Sequence, residues 1–250
     1  GHGFRSDLVD MLIQLKPAFL RFPGQSLRNA FRWKDSVGPW EQRPGHFGDV
    51  WNYWTDDGLG FFEGLQLAED IGAMPVWVFN SGISHTDEID TRVIAPFVQD
   101  ALDGIEFAIG PPTSRWGSLR ASMGHPQPFD LRYVGVGNED CGKLNYLGVG
   151  QIAQLVELRV KKLKTYPLDV QQMFSNAHVF DKTPRNGPKA FVSEYALIGD
   201  RQARNGTLFG AVSEAGFLIG LETNRLDCTF ILTIALQDII AVMRRIGFLY

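Results

Sequence analysis

Cysteine is almost absent from this sequence, and so are a basic excess, a long apolar run and a glycine-rich nucleotide turn. The two cysteines, Cys141 and Cys228, form no disulfide framework and no metal-ligand spacing. A formal net charge of −4 leaves no basic footprint, which excludes nucleic acid as a partner on electrostatic grounds. The longest apolar run, Cys228 to Met243, is interrupted by Gln237 and Asp238. It falls short of the roughly 20 residues a membrane span needs, so a buried helix or strand is expected there and no membrane partner. Gly58-Leu59-Gly60 with Gly64 lacks the spacing of a dinucleotide turn and lies inside a helical pattern. His46 with Asp49, and His85 with Asp87 and Glu88, lack the two-histidine helical spacing of a zinc hydrolase and are expected to hydrogen-bond locally. The chain opens Gly1-His2-Gly3-Phe4-Arg5, with neither an initiator Met nor the hydrophobic region of a signal peptide. A fragment or processed piece is expected.

What is present suits a large core. Hydrophobic residues make up 44% of the 250, enough for a single domain over 1–250, about the length of one α/β barrel. Helical apolar spacing covers Asp7 to Leu15, and Pro17 ends it. Ala18 to Phe22 then reads as a strand stopped by Pro23-Gly24. Gln25 to Tyr53 is long and irregular, and connections of that length usually carry function. In it Arg28, Arg32, Lys34 and Arg43 lie among Phe31, Trp33, Trp40 and Trp51, with Asp35, Glu41 and Asp49 interleaved; a packed, salt-bridged loop is expected rather than an anion site. Thr55 and Asp56 are expected to cap a helix running to about Ile71, with Gly72 as its stop.

Met74 to Phe79 is the next strand, broken by Asn80-Ser81-Gly82, and Ile94 to Ala108 the clearest amphipathic helix. Pro111 to Pro128 reads as a polar loop holding Trp116, Arg120 and His125. A strand ending at Glu139, a helix from about Val149 to Lys164, a strand at Ala190 to Ser193 and a helix from Gly206 to Glu222 complete the pattern. Strand and helix in alternation, with apolar strands, imply a parallel sheet covered by helices, either a barrel or a doubly wound open sheet. Polar residues gather just after the strands: Arg21, Asn80, Asn138-Glu139 and Glu194-Tyr195. In a barrel that edge carries the catalytic groups.

Glu139 and Glu194 are the pair with chemistry in them. Two carboxylates flanking a glycosidic bond suffice for its hydrolysis, one donating a proton and the other attacking or activating water. A side-chain amide at Asn138 could hold a sugar hydroxyl, and Tyr195 could hydrogen-bond the nucleophile. The plainer reading of either Glu is a carboxylate at a helix N-terminus, favoured by the dipole. Asn205-Gly206-Thr207 is a glycosylation sequon and equally a plain turn.

Long stretches carry a resemblance: LRNAFRWKDSVGPWEQRPGHFGDVWNYWTDDGLGFFEGLQLAEDIGAMPVWVFNSGISH, PFVQDALDGIEFAIG, WGSLRASMGHPQPFDLRYVGVGNEDCGK, TPRNGPKAFVSEYA and EAGFLIGLE. Over most of residues 18–145 and 181–222 the chain resembles the plant α-L-arabinofuranosidases of glycoside hydrolase family 51. The resemblance implies a (β/α)8 TIM barrel, retention of anomeric configuration, and no metal or organic cofactor. Glu139 matches the family's acid/base, Glu194 its nucleophile and Asn138 its sugar-binding Asn. Arg21 lies in the matching RFPG stretch. Asn80, Trp77 and Tyr195 complete the candidate substrate-binding set. The expected substrates are arabinoxylan or arabinan side chains, and the expected location is extracellular or the cell wall.

In the family the two catalytic strands are the fourth and the seventh, yet here Glu139 and Glu194 are 55 positions apart. A strand-crossover-strand unit takes about 30 residues or more, so an incomplete barrel is expected, with strands five and six largely missing. The first strand is also missing, and 223–250 forms a divergent tail. Such a barrel could self-associate through its open edges. An inactive remnant or sugar-binding paralogue, and a metal-dependent barrel hydrolase using His46 or His85, are the alternatives.

Overall fold

A computed structural model describes residues 2–23, 31–48, 53–82, 87–137 and 164–167, all within the compact unit Gly1–Leu168. The expected helix from Val149, the strand at Ala190, the helix from Gly206 and the tail 223–250 lie outside the described residues. So does the apolar run at Cys228; among the described residues no helix is long and apolar enough to cross a membrane.

Helix α1 (Ser6–Leu15) leads into strand β1 (Phe19–Phe22), with Lys16 in a left-handed conformation closing the helix before Pro17. A long connection follows, with two short 3-10 turns and a small antiparallel hairpin of β2 (His46–Gly48) and β3 (Tyr53–Thr55). Helix α2 (Phe61–Asp70), strand β4 (Met74–Phe79), helices α3 (Ala95–Ile109) and α4 (Arg115–Ser122), strand β5 (Tyr133–Val136) and strand β6 (Lys164–Pro167) complete the described elements. The sheet order is β1-β4-β5-β6, with every pair parallel. Chain order and sheet order therefore agree, as in successive βαβ units laid side by side.

Alternation along the strands separates two faces. Phe22 of β1, Trp77 and Phe79 of β4, and Val134 and Val136 of β5 join one buried cluster with Phe61 and Leu65 of α2 and Val98, Ala101 and Ile105 of α3. Trp77 sits at its centre, with its ring centroid 4.6 Å from Phe61 and 6.4 Å from Trp33. Glycines make room for these rings: a Cβ on Gly104 of α3 would lie 2.3 Å from the tip of Trp77, and one on Gly64 of α2 would lie 2.5 Å from Phe22. Each large side chain buried here stabilises the fold by about 1.5–3 kcal/mol. Arg21, Val76 and Tyr133 stand in register on the opposite face of the sheet.

Three local expectations need correction. The helix after the hairpin begins at Phe61 rather than at Thr55. Thr55 ends β3, and the Asp56 carboxylate accepts from Gly58 N–H at 2.9 Å in a turn of its own. The α2 donors are capped instead by Ser36 Oγ on Phe61 N–H (3.0 Å) and by Glu63 on Gly60 N–H (3.0 Å). Next, the supposed polar loop from Pro111 contains α4, which Ser114 caps by accepting from Gly117 N–H at 3.2 Å. Its fully buried residues are Gly117 and Arg120, and its apolar residues Trp116 and Leu119, with Met123 just beyond, are only partly buried against the core. Finally, the hairpin at His46–Thr55 falls inside the stretch expected to be irregular. Strand β6 pairs in parallel with β5 where no strand was expected, and its first residue, Lys164, was the expected end of the helix from Val149.

Arg120 is fully buried and donates to four carbonyls: Phe107 (2.7 Å), Ala108 (3.2 Å), His125 (2.9 Å) and Pro126 (3.0 Å). It ties the end of α3 to the segment entering β5, and burial pulls its pKa down from the ordinary arginine value. Arg120→Met keeps the length and removes the donors: the buried Phe107 carbonyl loses its guanidinium partner, at about 1–3 kcal/mol, the part-buried His125 and Pro126 carbonyls lose theirs at less, and Ala108 keeps the Phe129 N–H. Urea unfolding is expected to show a loss of about 2–4 kcal/mol, against within about 0.5 kcal/mol for the exposed Arg92→Met control.

Candidate active site

The C-terminal ends of β1, β4 and β5 define one edge of the sheet. At that edge Gly137 N–H donates to the Phe79 carbonyl at 2.9 Å, which carries the β4–β5 pairing one residue past β5. Asn80 and Gly137 therefore leave the sheet side by side, and the next residue after Gly137 is Asn138. Asn138, Glu139, Glu194 and Tyr195 themselves lie outside the described residues.

Three candidates can be placed. Arg21 is 7% exposed, on the face away from α2 and α3, level with Val76 and with Tyr133, the first residue of β5. Asn80 follows β4, and its Oδ1 accepts from Gly82 N–H at 2.6 Å in a turn completed by Gly82 at φ +91°. Trp77 differs from the expectation of a sugar-stacking residue. It is 2% exposed, and its ring faces are covered by Phe61, Trp33 and Phe79 on the helix side of the sheet. Strand parity explains this, because Trp77 shares its face with Phe79, not with Arg21.

The β1–α2 connection lies at this same edge and is tightly held. Arg43 donates to both Glu63 carboxylate oxygens at 2.7 and 3.0 Å and to the Asp57 carbonyl at 2.8 Å. His46 Nδ1 and the Asp57 carboxylate are 3.0 Å apart, the local hydrogen bond expected of that histidine. His85 and Asp49 lie outside the described residues, and among the described ones no group of three His, Cys, Asp or Glu side chains could hold a metal. The basic-aromatic loop is packed and ion-paired as expected, but most of its carboxylates come from α2 and α3. Among the described residues, Arg32–Asp35, at 3.8 Å, is a pair within the loop. Arg28 and Trp51 lie outside the described residues.

Lys34 reaches α3, pairing with Asp100 at 3.0 Å and with Asp103, while Trp33 Nε1–H donates to the Asp100 carbonyl at 3.0 Å. Sequence order hid this anchoring, since the partners lie nearly seventy residues away. A cavity of about 310 Å³ lined by Ala18, Glu69, Met74, Asp130 and Arg132 opens at the opposite, N-terminal edge of the sheet, away from Asn80. That edge of a barrel serves stability rather than chemistry.

Burial alone would lower the Lys34 pKa and raise that of Asp103; the contacts win in both cases. Lys34 is held above its ordinary value by Asp103 and Asp100, and Asp103 below its own by Lys34 and Gln99. A carboxylate depressed in the folded state contributes stability above its unfolded pKa of about 3.9, and loses it as pH falls through the folded value. The melting-temperature gap between the wild type and Asp103→Asn is therefore expected to be constant from about pH 5 to 7 and to close on acidification below about 3.9. A gap unchanged at low pH would contradict the pairing.

Comparisons with known proteins agree on one family. A model described as the alpha-L-arabinofuranosidase 1 domain matches residues 11–187. The chain is 54% identical over 252 residues to Alpha-L-arabinofuranosidase 2 of Arabidopsis thaliana, covering 90% of this chain and 37% of that protein. It is 33% identical over 277 residues to the extracellular exo-alpha-L-arabinofuranosidase of Streptomyces chartreusis, covering 89% of this chain and 33% of that one. The chain thus spans little more than a third of these relatives. Among solved structures, the arabinose-bound MgGH51 α-L-arabinofuranosidase superposes with a TM-score of 0.73 at 31% identity, over 88% of this chain and 42% of that one. The Thermotoga maritima α-L-arabinofuranosidase arabinose complex, at 22% identity and a TM-score of 0.60 over 89% of this chain and 45% of that one, shares the fold. The fold class is accordingly the α/β barrel of these enzymes, present in part and not closed among the described residues.

Proposed function

This chain belongs to the alpha-L-arabinofuranosidase 1 domain family, and from that membership we propose that it is a retaining glycoside hydrolase releasing terminal α-L-arabinofuranosyl residues. The observation that carries the proposal is the 54% identity to an Arabidopsis arabinofuranosidase over 90% of the chain, a span long enough to take in both Glu139 and Glu194. The arrangement at the sheet edge supports it. Asn138-Glu139 follows directly from β5, whose backbone is locked to β4, on the edge where a barrel places its catalytic groups.

The chemistry divides between the two carboxyl groups. Glu194 attacks the anomeric carbon as Glu139 gives its proton to the departing glycosidic oxygen, leaving a covalent arabinofuranosyl-enzyme. Glu139, now a carboxylate, takes a proton from water; the hydroxide attacks the same carbon and frees arabinose with its configuration retained. Glu139 must stay protonated until the charge on Glu194 is consumed, and repulsion between the two carboxylates works in that direction. Asn138 binds a sugar hydroxyl, Tyr195 hydrogen-bonds Glu194, and Arg21 and Asn80 complete the substrate-binding set. Arabinoxylan or arabinan side chains are the substrates, and the extracellular space or the cell wall is the location, consistent with the extracellular Streptomyces relative.

The test is release of 4-nitrophenol from 4-nitrophenyl α-L-arabinofuranoside by the purified chain. Glu194→Gln is expected to abolish turnover, and Glu139→Gln to lower kcat by about 10²–10⁴ on natural glycosides. A cooperatively folded wild type without turnover would overturn the proposal.

A further inference from the structure

We propose that Trp40, Phe47, Trp54 and Asp56 form a docking surface for the neutral main chain of the polysaccharide that carries the arabinofuranosyl units. The choice of polysaccharide rests on the proposed function; the surface itself rests on the geometry of the β1–α2 connection. Trp40 is 57% exposed, Phe47 51% and Trp54 63%, whereas Phe22, Trp33, Phe61, Trp77 and Phe79 are all buried. The three exposed rings lie between β1 and α2, at the sheet edge from which Asn80 and Gly137 also leave.

Phe47 and Trp54 are register partners across the hairpin, so their side chains share one face of it. Two close approaches bring both indoles to Asp56. A Cβ on Gly45 would lie 3.1 Å from the Trp54 ring and 3.2 Å from Asp56 Cα. One on Gly58 would lie 3.1 Å from Trp40 Nε1 and 3.1 Å from Asp56 Oδ1. The Asp56 carboxylate is exposed; its Oδ1 accepts from Gly58 N–H at 2.9 Å, and a carboxylate has room for further donors. The turn beneath is fixed. The Asp57 carbonyl accepts from Arg43 at 2.8 Å, the Asp57 carboxylate lies 3.0 Å from His46 Nδ1, and Arg43 is bound in turn to Glu63 of α2. Rings held in place before binding lose little freedom when a ligand arrives.

Exposed rings around a carboxylate match the two kinds of surface on a sugar. Its C–H face packs on an aromatic ring, and its hydroxyls donate to the carboxylate. A second copy of this chain is a poorer match. A stable protein interface takes about 20–30 residues a side, with charges depleted at its centre. Here three rings surround a carboxylate, whose burial without a donor would be costly. A hydroxyl-rich, uncharged chain covers the rings and still supplies the donors. Seated there, it runs along the edge on which the functional reading places the chemistry.

Affinity electrophoresis of the chain in native gels containing soluble arabinoxylan tests the surface. The wild type is expected to be retarded. The double variant Trp40→Ala, Trp54→Ala is expected to bind at least about tenfold more weakly, the scale of truncating anchoring aromatic residues. Asp56→Asn is expected to weaken binding by about threefold, and Trp54→Phe, which keeps a ring, to stay within about threefold of the wild type. Turnover of 4-nitrophenyl α-L-arabinofuranoside, which has no main chain, is expected to stay within about twofold in every variant. If the double variant gives no cooperative melt, the two single alanine variants take its place. A wild type that arabinoxylan does not retard, a double variant retarded like the wild type, or a wild-type dimer that the double variant dissociates overturns the inference. A chain that is retarded yet silent on the nitrophenyl substrate overturns the functional reading and leaves the surface standing, so the two failures are told apart.

Discussion

Strand β4 is the constraint on which the described part of this molecule depends. It is paired on both sides, and the alternation of its side chains sends Trp77 and Phe79 into the helix layer while Val76 and Val78 face the other way. The Trp77 ring fills the space over Gly104 of α3 and packs on Phe61 at the first turn of α2. Two crossover helices are thereby fixed relative to one strand. Their positions in turn fix β1 and β5 and the strand edge at which Asn80 and Gly137 leave the sheet.

Around that frame, polar contacts set the loops. Arg120 satisfies carbonyls at the end of α3 and on the way into β5, and Arg43 with Glu63 closes the β1–α2 connection on the start of α2. Buried guanidinium groups of this kind are costly to desolvate, and they persist because several acceptors meet each one. The α3–β5 connection, at the sheet's N-terminal edge, and the β1–α2 connection, at its C-terminal edge, are thus held by directional bonds, while the helices are held on the sheet by non-directional packing. A retaining glycosidase needs this division: its two carboxyl groups must keep a fixed separation through two chemical steps, whereas its core need only stay dense.

Much of this was legible in the sequence. Met74 to Phe79 was readable as a strand because Gly72 and Asn80-Ser81-Gly82 bound an apolar run too short for a helix, and α3 because its apolar residues recur at helical spacing. Where reading failed, the cause was contact between residues distant in sequence. Helix α4 has a glycine and an arginine on its buried side, and its carbonyl partners lie on other segments. The start of α2 depends on Ser36, 25 positions upstream. Trp77 is in the candidate substrate-binding set read from the sequence, whereas its parity with Phe79 assigns it to the core.

The central claim is that Glu139 and Glu194 act on one anomeric carbon. It is tested most directly by the distance between their carboxyl groups in a crystal structure of the chain with an arabinofuranosyl ligand bound. The account predicts a separation of roughly 5–5.5 Å across the anomeric carbon, the spacing of a retaining glycosidase. A separation beyond roughly 10 Å would contradict it, because neither the retaining nor the inverting mechanism can operate across such a gap.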